Sequence, residues 1–162
     1  MTLRKALLAG TYDPITIGHM DLIARASATY DKVVVGIFCN PDKECLFSSG
    51  QRFQMIVRSV ENFPNVTVLC SPGYTADYAK RHGCTLVRGY RNEVDLAYEE
   101  EMAAFNFARA GVETELLPTA PHLMEVSSTL VRRAYLDGDM ETVEQLVPGG
   151  CYEILLALKE KT

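Results

Sequence analysis

Residues 11–19 are Thr-Tyr-Asp-Pro-Ile-Thr-Ile-Gly-His, and they join an apolar run at residues 6–9 to a segment whose apolar residues recur at helical spacing. The short run and the spacing that follows it predict a buried strand, a turn and a helix. Gly10 lets the backbone leave the strand, and Gly18 removes a side chain from the start of the helix. Because free amides at a helix N-terminus favour an anion, the turn predicts a phosphate site.

This turn differs from the common phosphate-binding loops. It contains neither G-x-G-x-x-G nor G-x-x-x-x-G-K followed by Ser or Thr, so the dinucleotide-binding and Walker interpretations fail. It contains T-x-G-H instead, which puts the imidazole of His19 in the first turn of the predicted helix, beside the phosphate position. A helix-capping histidine is the structural alternative. We assign mainly structural roles to Asp13 and Thr16.

Strand and helix patterns alternate along the chain, which predicts an α/β fold with a Rossmann-like, doubly wound, parallel five-stranded sheet and helices on both faces. No repeat or linker interrupts the pattern, so we expect a single domain over residues 1–162. In such sheets, ligands bind at the carboxyl ends of the strands. The predicted strands are 6–9, 32–38, 66–70, 85–87 and 112–117, and the main predicted helices are 20–30, 53–60, 75–82, 93–110 and 128–135, with a short helix capped by Asp139 and a last helix starting at Pro148.

Composition limits the class of protein. The chain has 162 residues, of which 48% are hydrophobic and 23% charged, enough for one domain with a substantial core. It has no signal-peptide pattern and no apolar run near the ~20 residues that span a bilayer, so we expect a cytoplasmic protein without a membrane partner. The net charge of −5 argues against nucleic-acid binding, which needs a broad basic face. The five scattered cysteines are expected to be core thiols, with a zinc site or a catalytic thiol as alternatives.

Basic residues follow two of the predicted strands. Lys43 lies in the loop after the second strand, where it could reach an anion near His19 or be a solvated loop lysine. Arg88 and Arg91 follow the fourth strand. Two guanidinium groups at a strand end suit bidentate phosphate contact, although a surface ion pair with Glu93 or Asp95 is the alternative.

A second helix start carries hydroxyl groups. Ser127, Ser128 and Thr129 begin the helix that follows the fifth strand. Their hydroxyls and amides predict another anion site opposite the first. An ordinary serine cap is the structural alternative and is compatible with phosphate binding. Arg132 or Arg133 is a candidate for a further contact to the anion bound at this site.

Together these motifs resemble those of the nucleotidyltransferase superfamily and, within it, of the phosphopantetheine adenylyltransferase family. The strings T-Y-D-P-I-T-x-G-H, R-G-x-R, D-x-x-Y-E and V-S-S-T occur in the order typical of that family. The resemblance implies adenylyl transfer from ATP to 4′-phosphopantetheine, giving dephospho-coenzyme A and pyrophosphate, a late step of coenzyme A biosynthesis. It also implies Mg²⁺ bound through the substrate, a homohexamer, and coenzyme A as a candidate feedback inhibitor.

The same resemblance assigns roles to individual residues. The catalytic residues are His19, Lys43 and Arg91, and the acceptor is bound by Thr11, Lys43, Thr75 and Arg88. ATP is bound by Thr11, Tyr12, His19, Gly89, Tyr90, Arg91, Glu99, Leu123, Met124, Glu125, Val126, Ser127, Ser128 and Thr129. No residue is predicted to ligate a metal ion. The chain departs from the family at Glu44, where a second basic residue is common, and at Tyr90, where leucine is usual.

In the implied reaction, the acceptor phosphate attacks the α-phosphorus of ATP in line. A phosphate monoester has a second pKa of about 6 and is largely dianionic near neutral pH, so no general base is needed. Catalysis then consists of positioning and electrostatic stabilisation. Two alternatives stay open: transfer to another phosphorylated acceptor, such as nicotinamide mononucleotide or glycerol 3-phosphate, and a nucleotide-binding regulatory module without turnover.

Overall fold

The structure of the chain, a computed structural model, describes residues 2–38 and 44–162. The predicted catalytic residue Lys43 lies outside these residues. Five parallel strands form one sheet: β1 (Lys5–Gly10), β2 (Lys32–Phe38), β3 (Val66–Ser71), β4 (Cys84–Tyr90) and β5 (Thr114–Pro118). Their order in the sheet is β3-β2-β1-β4-β5. The winding therefore reverses between β1 and β4, which is where sheets of this type bind ligands.

Seven α-helices lie within the described residues and connect or flank the strands. They are α1 (Ile17–Thr29), α2 (Ser49–Val60), α3 (Thr75–His82), α4 (Glu93–Ala110), α5 (Ser128–Leu136), α6 (Met140–Leu146) and α7 (Gly149–Glu160). The predicted α/β fold with a doubly wound parallel sheet of five strands is confirmed. No helix of the described chain combines the length and the apolar character that crossing a membrane requires.

Both faces of the sheet are covered. Successive side chains of a strand point to opposite faces, so Ala6 and Leu8 of β1 enter one apolar core and Leu7 and Ala9 enter another. The first core includes side chains of α1, α2, α5 and α7, and the second includes Ala79 of α3. The central strand is thus enclosed by helices on either side, which holds its carboxyl end in a fixed position.

Two strand boundaries differ from the sequence prediction by more than one residue. β4 was predicted to end at Val87, but it continues to Tyr90, because Arg88, Gly89 and Tyr90 pair with residues 116–118 of β5. Arg88 is therefore part of the strand and not of a turn. β5 begins at Thr114 and not at residue 112, and a short 3₁₀ helix, Pro121–Leu123, lies in the predicted loop after it.

The helix caps follow the sequence closely. Gly111 ends α4 in the left-handed conformation, with φ 68°, where a side chain would be strained. Asp139 caps α6. At the start of α7, an added Cβ on Gly150 would lie 2.8 Å from the backbone of Arg58, so glycine is needed for α7 to approach α2.

The cysteine prediction is partly wrong. Cys45, Cys84 and Cys151 are free thiols. Cys84 and Cys151 are buried as expected and Cys45 is half-buried, but Cys70 is exposed because β3 is an edge strand. Burial raises the pKa of Cys151 to about 12, so it stays a thiol, and its Sγ donates to the carbonyl of Ile15 at 3.8 Å.

Candidate active site

The T-x-G-H turn fixes the tautomer of His19. Thr16 is the N-cap of α1, and its side chain accepts a hydrogen bond from the backbone N–H of His19 at 3.3 Å. In return, the backbone N–H of Thr16 donates to Nδ1 of His19 at 2.9 Å. A backbone N–H can only donate, so Nδ1 is an acceptor and the neutral ring carries its proton on Nε2. The predicted structural role of Thr16 is therefore seen, and His19 retains one N–H donor.

The surroundings of His19 keep its ring neutral. Burial, and secondarily the positive charge of Arg88, lower the pKa of His19 from 6.5 to about 4. The ring of Tyr12 lies 4.8 Å from the imidazole, centroid to centroid. Tyr12 is buried, and its hydroxyl donates to the carbonyl of Leu8 at 2.8 Å. Near neutral pH, His19 is thus a neutral hydrogen-bond donor whose imidazole packs against the buried ring of Tyr12.

Two buried polar side chains, Asp13 and Arg52, hold the turn in place. The carboxylate of Asp13 accepts hydrogen bonds from the backbone N–H groups of Leu46 and Phe47, at 2.8 and 3.0 Å. Arg52 donates to the carbonyls of Phe47 and Thr11, at 3.0 and 2.8 Å. These bonds join the turn after β1 to the segment that precedes α2. Asp13 has the structural role that the sequence predicted for it.

The start of α5 is tied to the same turn. Ser127 caps α5, and the hydroxyl of Ser128 donates to the carbonyl of Pro14 at 2.8 Å. Arg132 donates to the carbonyl of Asp13 at 2.8 Å, so it positions the turn. Neither α1 nor α5 has an acidic residue in its first turn. Two helix N-termini, each able to attract an anion, therefore stand side by side.

Arg88 is held by a buried carboxylate. Its Nε and Nη2 donate to Oε1 of Glu99 at 2.9 and 2.7 Å, and its Nη1 donates to the carbonyl of Ala9 at 2.8 Å. Glu99 is 5% exposed, whereas the side chain of Arg88 is 44% exposed. These bonds engage three of the five N–H groups of a guanidinium. The arrangement fixes the plane of Arg88 and leaves part of it facing solvent.

Two clefts open at this edge of the sheet and share Arg88, Tyr98 and Glu99. The first has a volume of about 380 Å³ and is also lined by Thr16, Gly18, His19, Leu22, Gly89, Arg91, Asp95, Thr119, Leu123, Val126, Ser127 and Ser128. The second has a volume of about 490 Å³ and is also lined by Leu7, Ala9, Gly10, Thr11, Phe38, Tyr74, Thr75, Leu86, Met102, Ala103, Phe105, Asn106 and Thr114. A side chain at Gly89 would lie 2.7 Å from Cδ1 of Leu22, so glycine keeps the wall of the first cleft flat.

Arg91 forms the ion pair that the sequence left open as an alternative. Its Nε lies 3.0 Å from Oδ2 of Asp95, and the two side chains are 41% and 31% exposed. Both residues line the first cleft. An exposed pair of this kind contributes little to stability, so Arg91 can exchange the carboxylate of Asp95 for another anion at small cost.

Most of the described residues that were predicted to bind substrate meet in the two clefts. The first cleft brings together His19, Arg88, Gly89, Arg91, Glu99, Leu123, Val126, Ser127 and Ser128, and the second brings together Thr11, Thr75, Arg88 and Glu99. Of the described predicted residues, Tyr12, Tyr90, Met124, Glu125 and Thr129 line neither cleft. The ring of Tyr12 instead packs against the imidazole of His19.

One face of α4 lines the site although it was not predicted from the sequence. Tyr98, Met102 and Asn106 line the second cleft. They lie four residues apart, and residues at this spacing share one face of a helix. The predicted site residue Glu99 is next to Tyr98 in α4. Helical spacing from that position is the signal by which the sequence could have indicated this face.

No metal site of protein ligands is found in the described part of the chain. Within residues 2–38 and 44–162, no group of three or more His, Cys, Asp or Glu side chains is placed to hold a metal ion.

The chain is similar in sequence to known enzymes. A family model described as cytidylyltransferase-like matches residues 7–134. A phosphopantetheine adenylyltransferase of Kocuria rhizophila is 41% identical over 162 residues, which cover 98% of this chain and 100% of that protein. A phosphopantetheine adenylyltransferase of Symbiobacterium thermophilum is 38% identical over 146 residues, or 89% of each chain.

Solved structures share the fold at lower identity. A candidate nicotinate-nucleotide adenylyltransferase from Vibrio parahaemolyticus has a TM-score of 0.72 and 16% identity, with 98% of this chain and 94% of that chain covered. Thermotoga maritima TmcAL, solved with alpha-thio ATP, has a TM-score of 0.66 and 14% identity, with 98% and 56% covered. These two likenesses concern the fold alone. The family match and the two sequence relatives show that the chain belongs to the phosphopantetheine adenylyltransferases, within the cytidylyltransferase-like family.

Proposed function

We propose that this chain transfers the adenylyl group of ATP to 4′-phosphopantetheine, giving dephospho-coenzyme A and pyrophosphate in a late step of coenzyme A biosynthesis. One observation carries the proposal: two separate clefts meet at a shared wall made of Arg88 and Glu99. A group transfer between two phosphorylated ligands needs such a meeting point, with a cation beside both phosphates.

ATP is assigned to the first cleft. The N-termini of α1 and α5 border it, and their free amides suit the triphosphate. His19 offers its Nε2–H to the α-phosphate. Arg91, the hydroxyl of Ser127 and the backbone N–H of Ser128 are assigned to the β- and γ-phosphates, and Leu123 and Val126 line the same cleft at the nucleoside side.

The acceptor is assigned to the second cleft. Arg88, which lines both clefts, and Thr11, which lines the second, are assigned to the acceptor phosphate, together with Lys43. Beyond them the lining is largely apolar, and it includes Phe38 and Met102. Such a lining suits a long, flexible arm that ends far from the phosphate.

The reaction needs no protein nucleophile and no general base. An oxygen of the acceptor phosphate forms a bond to the α-phosphorus, and the bond from that phosphorus to the oxygen bridging to the β-phosphate breaks. The electron pair leaves with pyrophosphate. His19 donates to the charge that builds on the α-phosphate, and Arg88, fixed by Glu99, compensates the charge of the nucleophile.

Further features of the enzyme are part of this proposal. Mg²⁺ enters as Mg–ATP, held by phosphate oxygens and water, as is usual for this ion. The enzyme acts in the cytoplasm as a homohexamer, and coenzyme A is its feedback inhibitor. Light scattering would reveal the number of subunits, and addition of coenzyme A to the assay would reveal the inhibition.

The function is tested by pyrophosphate release from Mg–ATP with three acceptors. We expect release with 4′-phosphopantetheine and none with nicotinamide mononucleotide or glycerol 3-phosphate. Release with another acceptor alone would keep the adenylyl transfer and overturn the assignment of the second cleft. No release with any of the three would favour the binding module without turnover.

A further inference from the structure

A cluster of three side chains joins α3 to α4 at the second cleft. The guanidinium carbon of Arg109 lies 3.9 Å from the centroid of the Tyr74 ring. The same guanidinium donates from Nε and Nη2 to the two carboxylate oxygens of Asp77, at 3.0 and 2.9 Å. We call Tyr74, Asp77 and Arg109 the Arg109 clamp. Its ring, Tyr74, lines the second cleft beside Thr75.

The clamp sets the position of an exposed aromatic ring. Tyr74 is the N-cap of α3 but makes no capping hydrogen bond with its side chain, and it is 58% exposed. A ring with so much exposure has rotamer freedom unless a neighbour restrains it. The planar fork of Arg109 restrains it, because the fork is itself oriented by two bonds to Asp77. The hydrogen bond from Arg109 also lowers the pKa of Asp77, so the carboxylate stays charged over the working pH range.

Along α4, the clamp is displaced from Glu99, the residue that holds Arg88. Arg109 follows Glu99 by ten residues in α4, which corresponds to roughly 15 Å along the helix axis. Between them, Met102 and Asn106 line the second cleft. An acceptor whose phosphate binds at Arg88 and whose arm runs along α4 would reach Tyr74 with its distal end.

We infer that Arg109 is a positioning residue for acceptor binding: it holds Tyr74 as a wall against which the distal end of the acceptor packs. The inference rests on the proposed function, because it takes the acceptor phosphate to bind at Arg88. Arg109 itself touches neither reacting atom. Its effect is therefore confined to the affinity for a long acceptor, and ATP binding and the chemical step are unchanged.

The test separates the two substrates. In Arg109→Gln, which keeps a polar but shorter side chain and removes the charge and the fork, the KM for 4′-phosphopantetheine should rise roughly three- to tenfold, the scale of a lost cation–π contact and exposed ion pair. The KM for ATP and kcat should stay within about twofold. Tyr74→Leu should raise the KM for the acceptor as much as Arg109→Gln does, and Tyr74→Phe, which keeps the ring, should raise it less than Tyr74→Leu. The double variant, Arg109→Gln with Tyr74→Leu, should be no worse than the worse single variant.

Matched controls distinguish positioning from a general loss of structure. Arg58→Gln removes another exposed interhelical ion pair, with Glu153, that borders neither cleft, and it should leave both KM values unchanged. With 4′-phosphopantothenate, which lacks the distal cysteamine group, Arg109→Gln should change KM less than about twofold. Equal effects on the long and short acceptors, or on acceptor and ATP, would overturn the inference.

Calorimetric titration of 4′-phosphopantetheine keeps this inference separate from the proposed function. A wild type that binds and turns over, together with an Arg109→Gln variant of unchanged affinity, would overturn the inference alone. A wild type that neither binds nor turns over this acceptor would overturn the proposed function and the inference together.

Discussion

Arg88 and Glu99 form one unit: Nη2 of the arginine lies 2.7 Å from Oε1 of the glutamate, and the pair is a common wall of both clefts. The carboxylate is buried and the guanidinium is partly open to the clefts. Glu99 therefore acts through Arg88, because it determines which N–H groups remain for the substrates. The resemblance to the family assigned Glu99 to ATP binding, and the geometry adds this orienting function.

Glu99→Gln tests the orienting function. The amide is neutral, and its NH₂ would replace Oε2, which accepts from Nε of Arg88 at 3.1 Å, so Arg88 should be held less firmly in its plane. We expect kcat/KM for ATP and for the acceptor to fall together, by roughly 10- to 100-fold. Glu100→Gln, an exposed neighbour in α4, is the matched control. If the Glu99→Gln variant kept full activity, or lost activity with only one substrate, the shared-wall account would be wrong.

The lowered pKa of His19 predicts a pH dependence of stability. The imidazole has a pKa of about 4 when folded and 6.5 ordinarily. Between these values the unfolded chain binds more protons, so the free energy of unfolding should decrease as pH falls from 6.5 towards 4, by at most about 3 kcal/mol from this group.

The comparison for this prediction is His19→Gln, because glutamine at this helix position can still complete the capping box but cannot titrate. Urea unfolding at pH 7.5, 6 and 5 should show a smaller loss of stability in the variant than in wild type. Parallel loss in the two proteins would contradict the predicted pKa.

Asp13→Asn tests the bonds beneath the T-x-G-H turn. The carboxylate accepts from two backbone N–H groups, of Leu46 and Phe47, and an asparagine oxygen can serve only one of them well. Leaving a buried N–H unpaired should lower the free energy of unfolding by about 1–3 kcal/mol. The exposed Asp137→Asn change should stay within about 0.5 kcal/mol of wild type. Equal stability of the two variants in denaturant unfolding would contradict this role of Asp13.

Features of the fold that depend on local signals were predictable from the sequence. The bounds of α4, residues 93–110, and its Gly111 cap are confirmed, because the helical period and the glycine lie within the segment itself. The end of β4 was predicted wrongly. Its last three residues, Arg88, Gly89 and Tyr90, have the composition of a turn, and only their pairing with β5 makes them a strand.

In the candidate site, too, positions set by local sequence were predictable and contacts between separate elements were not. The T-x-G-H turn is local, so the position of His19 at a helix start followed from the sequence. The pairing of Arg88 with Glu99 could not be chosen in advance over Glu93 or Asp95, since all three lie nearby in the chain. The contact between Tyr74 and Arg109 joins residues that are 35 positions apart, and it depends on how α3 packs against α4.

The central claim is that His19 promotes adenylyl transfer at the junction of the two clefts. The most direct measurement is kcat for pyrophosphate release from Mg–ATP and 4′-phosphopantetheine, compared between wild type, His19→Ala and His82→Ala. His82 is an exposed residue at the end of α3 that lines neither cleft. The account predicts that His19→Ala folds normally and loses roughly 10²- to 10³-fold in kcat, as expected for one preorganised donor, while His82→Ala is unchanged. Full turnover by His19→Ala would contradict it.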